Sequence, residues 1–182
     1  DAADETMFVE GVPSTPVDVI LRAAGASPPS LYRHFGSKEG LLVAALTRRL
    51  EVWTGEWERA IAAEQDPLER LLAIWPALRR YQDERLTERW CSFTGTAAAF
   101  RNPSPSVQAV LDTELAQMRR RLGELAVDVV GEHRADDLAG HLVMIYFGTI
   151  TGMLRLPYAE AIRDGERTAR TLVELYRDTQ PR

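Results

Sequence analysis

The chain is poor in the residues on which many extracellular and catalytic folds depend. One cysteine, Cys91, stands among 182 residues. A lone thiol excludes an intrachain disulfide and offers no zinc-ligand spacing. Beside Trp90 it reads as a small hydrophobe rather than a redox sensor. Lysine is equally scarce: Lys38 is the only one, and arginine carries the remaining side-chain positive charge, a bias of GC-rich coding rather than of function. Histidine occurs only at His34, His133 and His141. No paired-histidine helix motif, glycine-rich phosphate loop or nucleophile elbow is present, so an enzyme reading fails on inventory and no cofactor is expected. Glu132, His133, Asp136 and Asp137 read as a solvated turn rather than a metal site. The longest uncharged apolar run, Leu142 to Leu154, is too short to span a membrane. No secretory signal pattern is visible, and a cytoplasmic location is expected.

What remains is ordinary for a globular protein: 45% hydrophobic residues, 27% charged, and a formal net charge of −5. The informative stretch runs from Thr15 to Lys38. Thr15 can cap a helix with Pro16 at its first position and Asp18 closing a capping box. Val17, Ile20, Leu21 and Ala24 fall on one face at helical spacing. Gly25 is the natural left-handed stop. Ser27 and Pro28 then start a second short helix, in which Leu31 and Phe35 should pack back onto Ile20 and Leu21. Pro29, Ser30, Tyr32, Arg33 and His34 are left facing outward or sideways. Gly36 ends this helix and Ser37 caps the next. No acid occurs from Val19 to Lys38, whereas Arg22, Arg33 and Lys38 do. A local basic stripe matters more for phosphate contact than whole-chain charge. Two helices and a tight turn of this kind suit a DNA major groove. By spacing alone they equally suit an ordinary helical packing unit.

The segments Phe8-x-x-x-Gly-Val, Thr15-Pro-Val-Asp-Val-Ile, Ala24-Gly-Ala-Ser and Ser30-Leu-Tyr-Arg-His-Phe-Gly-Ser-Lys-Glu-Gly-Leu-Leu42 resemble the DNA-binding region of the tetracycline-repressor (TetR/AcrR) family of bacterial one-component regulators. The resemblance covers about the first 46 residues. It implies an all-α chain with an N-terminal three-helix DNA-binding domain over 1–46 and a C-terminal ligand-binding and dimerisation domain over 47–182. It also implies a homodimer, binding to a double-stranded operator, and an effector that alters the spacing of the two recognition helices. Carried over, the base-facing positions are Pro28, Pro29, Ser30, Arg33 and His34. The phosphate-contacting positions are Thr15, Tyr32 and Lys38. Arg33 best suits a guanine, because its fork matches O6 and N7. The family's first helix begins earlier than Asp1 does here, so its start is expected to be missing.

The later chain reads as further helices. Leu42, Leu46, Leu50, Trp53, Trp57 and Ile61 form one buried stripe from Ser37 to about Ala63. Asp66-Pro67 starts the next helix, and Pro76 should kink it. A segment from about Thr87 to Phe100 follows. Asn102-Pro-Ser-Pro-Ser106 reads as a loop and 106–130 as a long helix, with Arg119, Arg120 and Arg121 a solvated patch. Gly131 to Arg134 reads as a turn. From Asp136 to Leu156 the pattern is apolar nearly all round, so the helix must be covered on every side. A second copy of the chain provides that cover, with Gly148 and Gly152 allowing close approach and Leu172 and Leu175 contributing from the last helix. A fully buried helix within one chain is the alternative. Trp53, Trp57, Trp75, Tyr81, Trp90, Phe93, Met118, Tyr146 and Phe147 are candidates for lining an apolar effector site, with His141, Thr94 and Thr149 as polar anchors. The same aromatics also suit a plain core. The reading is a ligand-responsive transcriptional regulator of the repressor type. The competing reading is a helical small-molecule-binding or interaction module without specific DNA binding.

Overall fold

A computed structural model describes Phe8 and residues 16–84 and 91–178, and these form helices without strands. The order is α1 (Val17–Ala24), α2 (Pro28–Phe35), α3 (Lys38–Ala62), α4 (Pro67–Leu72), α5 (Ile74–Glu84), α6 (Ser92–Ala99), α7 (Pro105–Val130), α8 (Glu132–Gly152) and α9 (Tyr158–Asp178). The all-helical fold class expected from the sequence is what the chain adopts. The described residues divide into two compact units, and α3 and α7 each contribute to both.

The first unit combines Phe8 and residues 16–52 with residues 91–114. Its core joins Ile20 and Leu21 of α1, Leu31 of α2, and Leu41, Leu42, Leu46 and Leu50 of α3 to Phe93, Val107 and Val110 from later in the chain. Gly25 closes α1 in the left-handed region at φ 60°. Its N–H meets Arg22 O at 3.2 Å, and the Ala26 N–H meets Leu21 O at 2.9 Å. Ser27 precedes α2 in extended backbone, with Pro28 as the first helical residue. Two local expectations need correction. Pro16 occupies the cap position with φ −63° and ψ 146°, so α1 begins at Val17. Phe35 is 40% exposed and does not pack with Leu31 onto α1. The chain leaves the helix at Gly36, and the last turn, residues 32–35, is exposed throughout, leaving Leu31 as the buried residue of the helix.

The second unit comprises residues 53–84 and 115–178. The Asp66 carboxylate caps α4 by accepting the Leu68 and Glu69 N–H groups at 2.8 and 3.2 Å. Pro76 lacks an N–H, and the helical run breaks into α4 and α5 at Ala73. The turn expected over Gly131 to Arg134 contracts to Gly131 alone, at φ 79°. Helices α8 and α9 pack antiparallel: His141 meets Tyr176 near one end, and Gly152 approaches Ala161 near the other. Gly165 makes the closest approach, because a Cβ there would lie 2.0 Å from Thr149 Oγ1 and 2.9 Å from Trp75 Nε1. The solvated arginine patch also needs correction. Arg121 donates two hydrogen bonds to Glu58 at 2.7 and 2.8 Å, tying α7 to α3, while Arg119 and Arg120 remain exposed. Arg170 ties α9 to α4 in the same way through Glu69, at 2.6 and 2.8 Å.

Candidate recognition helix and effector core

In the first unit the residues expected at DNA converge on α2 and its edges. Pro28, Pro29, Tyr32, Arg33 and His34 are exposed, and Ser30 and Lys38 are half-buried. Leu31 alone anchors the helix, so the remaining side chains are free to form an outer face. Eight residues give about 12 Å of helix, a length that fits within a major groove. The only acid described on α1 or α2 is Asp18, which pairs with Arg22 at 3.7 Å. Thr15 lies outside the described residues.

The junction between α2 and α3 is tightly built. Gly36 takes φ 71°. Ser37 Oγ accepts the Gly40 N–H at 2.9 Å, as a capping residue should. A Cβ at Gly40 would lie 1.9 Å from the Phe35 carbonyl oxygen. Only glycine fits where the start of α3 passes the end of α2. The Gly-Ser-Lys-Glu-Gly spacing contains this signal, but its steric reason appears only in three dimensions.

The candidate effector residues divide between the units. In the second unit, Trp53 is the hub of an aromatic group. Its ring centroid lies 6.5 Å from Trp57, 5.6 Å from Tyr81 and 6.1 Å from Tyr146, and Phe147 lies 6.4 Å from Tyr146. Trp53, Trp57 and Tyr146 are buried, while Tyr81 and Phe147 are partly exposed. Trp75 is fully buried and donates its indole N–H to Thr149 Oγ1 at 3.3 Å. Thr149 in turn donates to Ile145 O at 2.9 Å, so both its bonding directions are in use. Met118 is buried in the second unit.

Two residues do not join this group as expected. Phe93 packs in the core of the first unit. His141 is exposed, with Nδ1 2.8 Å from the Tyr176 hydroxyl, because its position on α8 faces away from the buried stripe. Trp90 lies outside the described residues. The Tyr176 hydroxyl donates to Asp137, and Arg134 stacks over its ring at 4.5 Å. Burial, with the Asp137 carboxylate, pushes the Tyr176 phenol up to about 12.

On the α8–α9 face, Gly148 is exposed, with open space where a Cβ would stand. Gly152 instead faces its own chain, 3.5 Å from the Ala161 methyl. Leu172 is half-buried and Leu175 is 57% exposed. A cleft of about 310 Å³ runs along this face, walled by Ile145, Gly148, Gly152 and Leu156. Met144, 67% exposed, stands one turn before Gly148 and was missed in the sequence. It belongs to an exposed stripe of His141, Met144, Gly148, Thr151 and Arg155, which is apolar or uncharged at its centre.

Two titratable groups of the first unit are shifted by their surroundings. Burial raises the Glu114 carboxyl to about 7 and pushes the Cys91 thiol up. No cluster of three or more metal-ligating side chains occurs among the described residues. Nor is any described helix long and apolar enough to cross a membrane.

The fold and the exposed second helix of the hairpin define an all-helical protein of the helix-turn-helix class. Residues 1–45 match the family model of bacterial regulatory proteins of the tetR family. The transcriptional regulator BetI of Burkholderia ambifaria is 33% identical over 75 residues, covering 41% of this chain and 39% of that protein. The chain therefore matches well under half the length of this curated relative. A TetR-family transcriptional regulator from Streptomyces coelicolor has the same fold, with a TM-score of 0.85 at 20% identity over 97% of this chain and 92% of that one. A cysteine mutant of the TetR family transcriptional regulator CifR, complexed with 26-base-pair operator DNA, aligns with a TM-score of 0.67 at 20% identity over 99% and 94% of the two chains. The family match thus lies in residues 1–45, and the chain as a whole shares the fold of TetR-family regulators of known structure.

Proposed function

We propose that the protein is a cytoplasmic, ligand-responsive transcriptional repressor that binds a palindromic operator as a homodimer. The observation that carries this reading is the outer face of α2, where Tyr32, Arg33 and His34 are exposed within a stretch containing no acid from Val19 to Lys38. Arg33 reads a guanine through its two parallel donors. Pro28 and Pro29 touch thymine methyls, and Ser30 and His34 complete the base contacts. Thr15, Tyr32 and Lys38 hold phosphates and fix the register. Residues 1–46 carry the DNA-binding function and 47–182 the effector and dimer functions.

Two copies are needed to read a palindrome. Gly148, Leu172 and Leu175 form the contact, with the exposed Met144 on the same face. An apolar effector binds in the second unit among Trp53, Trp57, Trp75, Tyr81, Met118, Tyr146 and Phe147. Helix α3 is one continuous element of 25 residues from Lys38 past Trp57, so a shift at the tryptophans reaches the phosphate contact through a single rod. The effector must prefer one arrangement of the dimer for that shift to release DNA.

Fluorescence anisotropy with the duplex upstream of the gene tests the DNA contacts. Arg33→Ala should weaken binding by about 1–3 kcal/mol and relax one base position per half-site. Lys38→Ala should weaken all sequences alike and flatten the salt dependence. Wild-type behaviour in both variants would remove α2 as the recognition helix.

A further inference from the structure

The second unit also bears on what kind of effector it takes. The polar anchors first suggested by sequence are already engaged or lie elsewhere. Thr149 is bonded to both Trp75 and Ile145. His141 is on the surface with Tyr176. Thr94 belongs to the first unit, beside Cys91. One donor stands apart. Trp57 is 4% exposed, and its indole Nε1 has no hydrogen-bond partner among the described residues. A buried donor left unmatched forgoes its bonds to water without replacement. Trp75, which is fully buried, has a partner. The orphan therefore does not follow from indole burial as such.

The surroundings of that donor are flat and apolar. Trp57 lies nearly parallel to Trp53, at an interplanar angle of 22°, and Trp53 in turn meets Tyr81 and Tyr146. Aromatic faces of this kind accept planar rings. Glu56, the residue before Trp57, is 1% exposed and holds its carboxylate 2.5 Å from Arg59. A buried carboxylate on the same turn disfavours a second negative charge beside it.

We propose that Trp57 Nε1 is the polar anchor of the effector site. The effector is then an uncharged planar molecule whose carbonyl oxygen accepts the indole N–H while its ring lies among Trp53, Tyr81 and Tyr146. This rests on the second unit being the effector-binding part.

A matched pair of probes tests it: 2-acetylnaphthalene, which carries the carbonyl, and 2-isopropylnaphthalene, which has the same shape without it. By calorimetry the wild-type protein should bind the ketone about 3- to 10-fold more tightly. Trp57→Phe keeps an aromatic ring and removes the donor, so it should bring the two probes to equal affinity. The indole cross-peak of Trp57 in a ¹⁵N-labelled sample should move downfield with the ketone and not with the hydrocarbon. That reading needs only the wild-type protein, so it stands even if the variant folds poorly. Equal affinities in the wild type, an unmoved cross-peak, failure of both probes to bind, or tighter binding of 2-naphthoate than of the ketone would each overturn the proposal. Ketone-selective binding that leaves operator affinity unchanged would support the anchor and refute the effector role of the unit.

Discussion

Alanine at Gly40 and alanine at Gly55 should change stability in opposite directions, although both glycines lie in α3. In an open helical position, glycine is less stable than alanine by about 0.5–1 kcal/mol, because it loses more backbone freedom on folding. Gly55 is such a position: it is exposed, and nothing lies within 4 Å of where its Cβ would stand. Gly55→Ala should therefore stabilise the protein by about 0.5–1 kcal/mol. At Gly40 the same methyl would lie 1.9 Å from the Phe35 carbonyl oxygen and 3.0 Å from its carbon. Real contacts of this kind do not fall below about 3 Å, so the end of α2 and the start of α3 must separate by roughly 1 Å. The obstacle is backbone and cannot rotate away. Forced repacking of this size costs about 1–3 kcal/mol, which outweighs the propensity gain. Because Arg33 and His34 sit on the last turn of α2, the displacement should also weaken DNA binding, and Gly55→Ala should leave it unchanged. Urea unfolding and operator titration of both variants give the comparison. A Gly40→Ala protein as stable as Gly55→Ala would refute the steric argument at the hairpin.

Three further outcomes follow from the geometry. Gly165→Ala should destabilise by about 1–3 kcal/mol, and pairing it with Thr149→Ala, which removes the blocking Oγ1, should give a non-additivity above about 1 kcal/mol; additive unfolding energies would exclude the contact. Glu114 has a folded-state carboxyl raised from 4.5 to about 7, so the folded state binds more protons than the unfolded one between those values. Stability should accordingly fall as pH rises from about 4.5 to 7 and level off above, an effect that Glu114→Gln removes from unfolding curves taken across that range. Gly148→Arg should yield a folded monomer by sedimentation, because the side chain has open space within its own chain and none in a close contact between copies; a variant dimer would exclude this face.

The local grammar of the hairpin was legible because its signals are short-range. Gly25, Ser27-Pro28, Gly36 and Ser37 each act within a turn of themselves, and the structure has them at those boundaries. The buried stripe of α3 was legible for a related reason: its periodicity runs over many residues. Phe35 misled because spacing by four says which residues share a face, not how far along a short helix the core extends. Phe93 misled because a sequence carries no mark of which core a distant segment joins. Arg121 and Arg170 look like any surface arginine until Glu58 and Glu69 are brought to them from residues far away in the chain. His141 sat within an apolar run, but one position on a helix faces outward even there.

The most direct test of the regulator reading is selection of binding sites from random duplexes by the purified protein, repeated with Arg33→Ala. The account predicts enrichment of a two-fold symmetric sequence with half-sites about one helical turn apart, and loss of preference at one position in each half for the variant. Enrichment of no sequence, or of the same sequence with equal strength by both proteins, would contradict it.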